Sequence, residues 1–295
     1  VRACVVGAGS LGSLLAGLLA SAADVTLVGR PADVEAIEAD GLRVAGAVER
    51  HVHPAVSTEP PATADLAVVA VKAFDTATVA RQLADADLGG ALSLQNGLGN
   101  EATLAATLDC EVLAGTCTYG ARRVEPGLVE CTGVGDVTLG AREGGESPLA
   151  DRAGAVFDDA GFETTVATDM PQRLWTKLAV NAGINPPTAL ARVDNGALVD
   201  GPARETARAA ARETARVARS EGVDLSDAAA VQAVEDVARA TAANVSSMRQ
   251  DVEAGRRTEI DAIGGAVLDR ADESVPTVET LTRLVRAWER ENELR

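Results

Sequence analysis

The sequence predicts an α/β protein in two domains: a doubly wound parallel sheet with covering helices over residues 1–165, then an all-α domain over residues 166–295. Three observations predict it. Short apolar runs alternate with helical patterns through the first half. Beyond Asp169 strand signals nearly vanish, while Ala-, Arg- and Glu-rich stretches with helical spacing continue. A length of 295 residues with 46% hydrophobic content suits two cores better than one.

Taken in order, residues 3–6, 25–28, 66–71, 92–94 and 112–114 read as strands, with helices near 11–22, 32–39, 76–86 and 101–108 between them. Near residue 124 the rhythm turns to Gly-, Thr- and Val-rich short strands (128–131, 136–140), followed by a helix at 148–160. The second domain follows as helices at 172–185, 201–221, 226–243, 245–254, 258–270 and 277–293. Pro186 should kink or end the first of these, because proline disfavours the helical conformation in the residue before it.

Forty-four acidic against 27 basic residues give a formal charge of −17, spread along the chain, which argues against nucleic acid or an anionic membrane as partner. Such an acidic, arginine-rich and aromatic-poor composition resembles that of proteins from salt-loving microbes, and a high-GC genome, which also replaces Lys with Arg, is the alternative source. Cys4, Cys110, Cys117 and Cys131 lack CxxC or CxxH spacing, so neither a disulfide framework nor a metal site is expected. The chain enters a strand without a basic leader, and the apolar stretch 11–22 is too short for a bilayer. A soluble cytoplasmic protein is expected.

Gly7-Ala8-Gly9-Ser10-Leu11-Gly12 follows a strand and opens a helix, the Rossmann-like context in which glycines let the backbone approach a pyrophosphate at a helix N-terminus. The second strand ends Val28-Gly29-Arg30, where an NAD-preferring site would carry Asp or Glu. Arg30 offers instead a planar donor fork to a 2′-phosphate, which favours NADP (NADPH).

Only two lysines, Lys72 and Lys177, occur among the 27 basic residues. The proton donor that a nicotinamide enzyme needs is narrowed by elimination. His51 and His53, the only histidines, alternate on an outlying strand and read as structural, and Tyr119 lacks a lysine four residues on. Lys177, Asn181 and Asn185 fall at i, i+4 and i+8 of a predicted helix, so an acid and an amide share one face. Lys177 is therefore the candidate catalytic group and Lys72 a candidate cofactor contact.

Val71-Lys72-Ala73, Leu94-Gln95-Asn96-Gly97-Leu98-Gly99-Asn100, Leu174-Trp175-Thr176-Lys177-Leu178-Ala179-Val180-Asn181, Asn185-Pro186, Asn195-Gly196, Asn244-Val245-Ser246-Ser247-Met248 and Thr258-Glu259-Ile260-Asp261 follow one another along the whole chain. In order and spacing they resemble the ketopantoate reductases. The resemblance implies NADPH-dependent reduction of 2-dehydropantoate to (R)-pantoate, toward pantothenate and coenzyme A, with Lys177 as general acid. It implies Asn181, Asn185, Asn195, Asn244 and Ser247 as substrate ligands. Lys72, Asn96, Ala121 and Glu259 are implied as cofactor-side contacts beside the Gly7–Gly12 turn and Arg30, with Glu259 also near the substrate hydroxyl. The implied partner is a small keto acid, with a homodimer as the assembly allowed.

Structural readings stand beside these. Asn244 suits an N-cap, Glu259 a first-turn acid after a Thr258 cap, and Asn195-Gly196 a turn. Two blocks depart from the family pattern: Thr118-Tyr119-Gly120-Ala121 before the paired arginines, and Ile263-Gly264-Gly265, which is expected to loosen the helix bearing Glu259. The competing functions are reduction of another branched 2-keto acid and NADPH sensing without turnover. A β-hydroxyacid dehydrogenase is disfavoured, because its usual Gly four residues before the lysine is Arg173.

Overall fold

The computed structural model describes all 295 residues, which gather into two compact units. One comprises Val1–Gln95 and Asn100–Met170, the other Asn96–Gly99 and Pro171–Arg295.

The first unit runs β1 (Arg2–Val6), α1 (Ser10–Leu19), β2 (Asp24–Val28), α2 (Pro31–Asp40), β3 (Leu42–Gly46), β4 (Arg50–Val52), β5 (Ala55–Ser57), β6 (Thr63–Ala64), β7 (Leu66–Val69), α3 (Thr76–Leu83), β8 (Asp87–Leu88) and β9 (Ala91–Ser93). It continues with α4 (Asn100–Ala105), β10 (Val112–Cys117), β11 (Gly120–Glu125), β12 (Leu128–Gly133), β13 (Asp136–Ala141), α5 (Pro148–Asp159) and β14 (Glu163–Val166). Eight strands form the main sheet in the order β14-β13-β10-β9-β7-β1-β2-β5, with β10 and β13 its antiparallel pair. A smaller sheet has the order β11-β12-β3-β4, and β6 pairs with β8.

The central strands β1, β7 and β9 are apolar without alternation because both faces of the sheet are covered. Successive residues serve opposite cores: Val5 and Val68 pack with Leu14, Leu27 and Phe157, whereas Cys4, Val6 and Val69 pack with Leu83 and Leu104. Burial pushes the Cys4 thiol up to about 12, so it behaves as a small hydrophobe. The chain order places β2 on one side of β1 and β7 on the other, creating a topological switch point at the carboxyl end of β1. His51 lies on β4, with its Nε2 2.7 Å from the Asp40 carbonyl and its ring 5.0 Å from that of His53.

The second unit carries α6 (Met170–Ala191), α7 (Ala197–Asp200), α8 (Arg204–Ser220), α9 (Asp227–Ala240), α10 (Ser247–Glu253), a π-helical turn (Asp261–Gly265), α11 (Ala266–Leu268) and α12 (Pro276–Glu291). Alanines 207, 210, 211, 215 and 218 make α8 the thin central helix of its core. Buried Glu213 accepts hydrogen bonds from the amides of Thr277 (3.0 Å) and Val278 (2.8 Å), satisfying the start of α12.

Three expectations are corrected. α6 does not stop at Pro186 but runs through Pro186 and Pro187 to Ala191. Proline fixes a φ compatible with a helix, and burial of residues 185–189 outweighs the two missing amide donors. The helix expected at 258–270 is present but shorter, running from Ile260 to Leu268, and its first turn is the π-helical one that leads into α11. There an ideal Cβ on Gly264 would stand 2.0 Å from Thr282 Oγ1, so the glycine admits α12 rather than merely loosening the segment. The N-cap of α10 is Ser246, not Asn244: its hydroxyl accepts from the Arg249 amide at 3.2 Å.

No helix is long and apolar enough to cross a membrane. All four cysteines are free thiols, and no group of three His, Cys, Asp or Glu side chains could hold a metal ion.

Candidate active site

In the first unit the motif residues gather at the carboxyl ends of adjacent strands. The Gly7–Gly12 motif spans the turn from β1 into the first residues of α1, Gly29 and Arg30 follow β2, and Val71 and Lys72 follow β7. The glycines divide by role. Gly7 has φ +115°, and an ideal Cβ on Gly12 would lie 1.8 Å from the Gly7 carbonyl oxygen, so both are required by the turn itself. A Cβ on Gly9 would meet nothing within 4 Å. No side chain caps α1 at Gly9, so open space adjoins uncapped helix amides, an arrangement that accepts an anionic oxygen.

Arg30 precedes Pro31 at the start of α2 and has an exposed side chain. Lys72 is half-buried and precedes the short 3-10 turn Ala73–Asp75, where the Asp75 amide bonds its carbonyl at 2.8 Å. Ala121 is half-buried on β11, and two residues later the Arg123 amide donates to Ser10 Oγ at 3.0 Å. This bond brings β11 beside the glycine turn. These residues can hold a dinucleotide: space for its diphosphate, an exposed guanidinium, and a strand alongside.

In the second unit Lys177 and Asn181 stand one turn apart on α6, both half-buried. Trp175 and Leu178 anchor that helix in the core. Asn181 Nδ2 is buried without an acceptor. Asn185 is 6% exposed, and its carbonyl accepts from Thr188 Oγ1 at 3.1 Å. The same hydroxyl is 2.7 Å from Ser246 Oγ, which ties the end of α6 to the segment entering α10, where Ser247 is exposed.

Asn195 and Asn244 are also brought together. The Asn195 amide donates to the Asn244 carbonyl at 3.1 Å, and Asn195 Nδ2 donates to Thr241 Oγ1 at 2.9 Å. Asn195 Oδ1 is buried without a donor, whereas the Asn244 side chain is exposed. Asn96 Nδ2 donates to Glu259 Oε2 at 3.3 Å, and the backbone of Leu98 donates to Ala262 at 3.0 Å. Thr258 secures the same segment: its amide and hydroxyl both donate to Glu289 Oε1, at 2.8 and 2.6 Å. Arg295 Nε donates to the second Glu289 oxygen at 2.6 Å.

The family models described as "Ketopantoate reductase PanE/ApbA" and "Ketopantoate reductase PanE/ApbA C terminal" match residues 3–144 and 169–289. The chain belongs to the ketopantoate reductase family.

As a member of that family it is an oxidoreductase. It is 45% identical to the 2-dehydropantoate 2-reductase of Halobacterium salinarum over 99% of this chain and 100% of the relative, and the salt-adapted composition agrees with that likeness. The enzyme of that name from Archaeoglobus fulgidus is 41% identical, with 98% of each chain covered. Among solved structures, a PanE/ApbA family ketopantoate reductase from Ralstonia eutropha JMP134 superposes with a TM-score of 0.88 at 30% identity, covering 99% of this chain and 100% of that one.

Sequence reasoning missed several residues that brace the candidate residues of this family member. Thr188 and Ser246 join two of its blocks through hydroxyls whose partners lie 58 positions apart. Gln95 donates to the Val71 carbonyl (3.1 Å) and to Thr76 Oγ1 (2.7 Å), bracing the residue before Lys72. Buried Gln95 lies within the segment Leu94–Asn100. A polar side chain directly after an apolar strand was the available signal.

Proposed function

We propose that the chain reduces the 2-keto group of 2-dehydropantoate to (R)-pantoate, a step toward pantothenate and coenzyme A, with NADPH as reductant and Lys177 as general acid. The reading rests above all on one observation, the Lys177/Asn181 face of α6 with its buried, unmatched Nδ2 donor. Leaving such a donor unsatisfied costs about 1–3 kcal/mol, and the carbonyl and carboxylate oxygens of a keto acid are acceptors that meet it. Asn195 Oδ1 adds an unmatched buried acceptor suited to a hydroxyl.

When bound, the nicotinamide supplies a hydride to the keto carbon. Lys177 holds its proton at Nζ, stabilises the negative charge growing on the keto oxygen, and transfers the proton there. Asn181 orients the same oxygen by donation from Nδ2. The open face at Gly9 and the uncapped start of α1 support a diphosphate on the first unit, and exposed Arg30 supports a 2′-phosphate beside it.

Purified protein mixed with NADPH and 2-dehydropantoate should lose the absorbance of the reduced nicotinamide. Replacing the substrate with straight-chain or longer branched 2-keto acids tests the pocket, since one methylene is worth only about 1–3 kcal/mol. Absence of turnover with any 2-keto acid, in protein that binds NADPH, would reject the reductase reading.

A further inference from the structure

The first unit contains a buried acid that the reaction does not use. Asp33 is 4% exposed in the first turn of α2, three residues after Arg30, and its amide bonds the Arg30 carbonyl at 2.9 Å. Its side chain folds back over the end of β2. An ideal Cβ at Gly29 would lie 2.7 Å from Ala8 Cβ, 3.2 Å from Asp33 Cβ and 3.8 Å from Asp33 Cγ. The carboxylate thus occupies the corner between the glycine turn and the strand end, where an NAD-type site places an acid for the ribose 2′-OH. Here the acid comes from the helix, while the residues that follow the strand are Gly29 and Arg30.

That carboxylate is held. Arg123, from β11 and 90 positions away, forms an ion pair with Asp33, and its amide is fixed to Ser10 Oγ on the glycine turn at 3.0 Å. A bare carboxylate in this corner would repel a 2′-phosphate and accept a hydrogen bond from a 2′-OH. Pairing offsets its charge and occupies one of its oxygens, so a paired one repels the phosphate less and competes less for the hydroxyl.

We infer that the Asp33–Arg123 ion pair is a cofactor-selectivity lock: Arg123 masks an acid that would otherwise favour NAD(H), leaving Arg30 to attract the 2′-phosphate of NADP(H). The inference rests on the NADPH reading above. Arg123 is thus a specificity-determining residue that acts through Asp33. The pair joins the first turn of α2 to β11 of the smaller sheet, which is why the strand-end residue alone under-describes the choice.

The test uses adenosine 2′,5′-bisphosphate and adenosine 5′-monophosphate as probes of the two ribose types, with affinities measured by calorimetry on the whole protein and folding checked by thermal melting. Arg123→Met should lower affinity for the bisphosphate by about tenfold or more and raise that for the monophosphate, because an unmasked charge now faces the 2′ position. Asp33→Asn alone should leave bisphosphate binding within about threefold of wild type, since no charge remains to be masked. The double variant should recover most of the loss caused by Arg123→Met. NADPH and NADH kinetics should follow the same order.

An unchanged ratio of the two affinities in folded Arg123→Met protein overturns the lock, as does a double variant no better than Arg123→Met. Should Arg123→Met fail to fold, the double variant decides alone: wild-type selectivity supports the lock and lost selectivity overturns it. Wild-type protein that binds the monophosphate as tightly as the bisphosphate overturns the NADPH reading itself. Selectivity that is present in the wild type but insensitive to Arg123 overturns only the lock.

Discussion

Asn96 and Glu259, 163 positions apart in the chain, are joined by a hydrogen bond from Nδ2 to Oε2 at 3.3 Å within the second unit. Both belong to blocks proposed to serve the cofactor side of the reaction, and the bond fixes one against the other. A double-mutant cycle with Asn96→Ala and Glu259→Ala, read by urea unfolding, should give a coupling energy within about 0.5–3 kcal/mol. Strict additivity would show that the contact does no work in the folded protein.

Lys177→Ala should lower kcat by about 10²- to 10⁴-fold, the range for losing a general acid. NADPH binding, followed by nicotinamide fluorescence, should survive because Lys177 is assigned to the keto acid and is not among the proposed dinucleotide contacts. Asn181→Leu should lower kcat/KM for the keto acid while preserving the fold, since it removes an unmatched buried donor. A folded Lys177→Ala protein with near-wild-type kcat would remove this residue from the mechanism.

Arg30→Ala should raise the KM for NADPH by about tenfold or more, in keeping with roughly 1.5–3 kcal/mol for a hydrogen bond to a charged group. NADH kinetics should barely move. Equal losses with both cofactors would mean that Arg30 acts on the fold of α2 rather than on a phosphate.

Glu289 is fully buried and accepts from the Thr258 amide, the Thr258 hydroxyl and Arg295. Glu289→Ala strands the buried Thr258 amide and hydroxyl, while Arg295 keeps Asp261, and should destabilise the protein by about 1–3 kcal/mol. Because Thr258 precedes Glu259, the keto-acid KM should rise as well. Denaturant titration and steady-state kinetics separate the two effects.

Acid sensitivity should have an identifiable component at Asp261. Burial works against its charge, but hydrogen bonds from Arg286 at 2.9 Å and Arg295 at 2.5 Å outweigh that and hold its pKa below the ordinary value. A depressed carboxylate pKa contributes stability that is fully present above the unfolded value of about 3.9. That contribution is lost as pH falls through the lower folded value. Asp261→Asn should therefore be less stable than wild type at neutral pH, and the difference should shrink below about pH 4. A difference that is constant with pH would refute this.

The strands of the main sheet were legible where burial on both faces makes a run apolar without alternation, as in β1 and β7. β5 was not, because it is a three-residue strand at the sheet edge with partly exposed residues and no pattern. The site residues were legible as local blocks, each with its own turn or helix signature. Their joints were not: Thr188 to Ser246, Asp33 to Arg123 and Asn96 to Glu259 are partnerships of polar residues whose separation carries no periodicity. Pro186 shows the opposite failure, a sound local rule overruled by tertiary packing.

The four residues Asn96–Gly99 fold with the second unit, although their neighbours on both sides fold with the first. During synthesis this short segment emerges long before Ala262, whose carbonyl accepts from Leu98. At ribosomal speeds of about 5–20 residues per second, the wait is on the order of ten seconds or more. A nascent N-terminal half can complete its sheet in that time but must keep this stretch uncommitted. A gene truncated or recombined between the two halves would separate the segment from its partners for good, so the halves are not interchangeable cassettes.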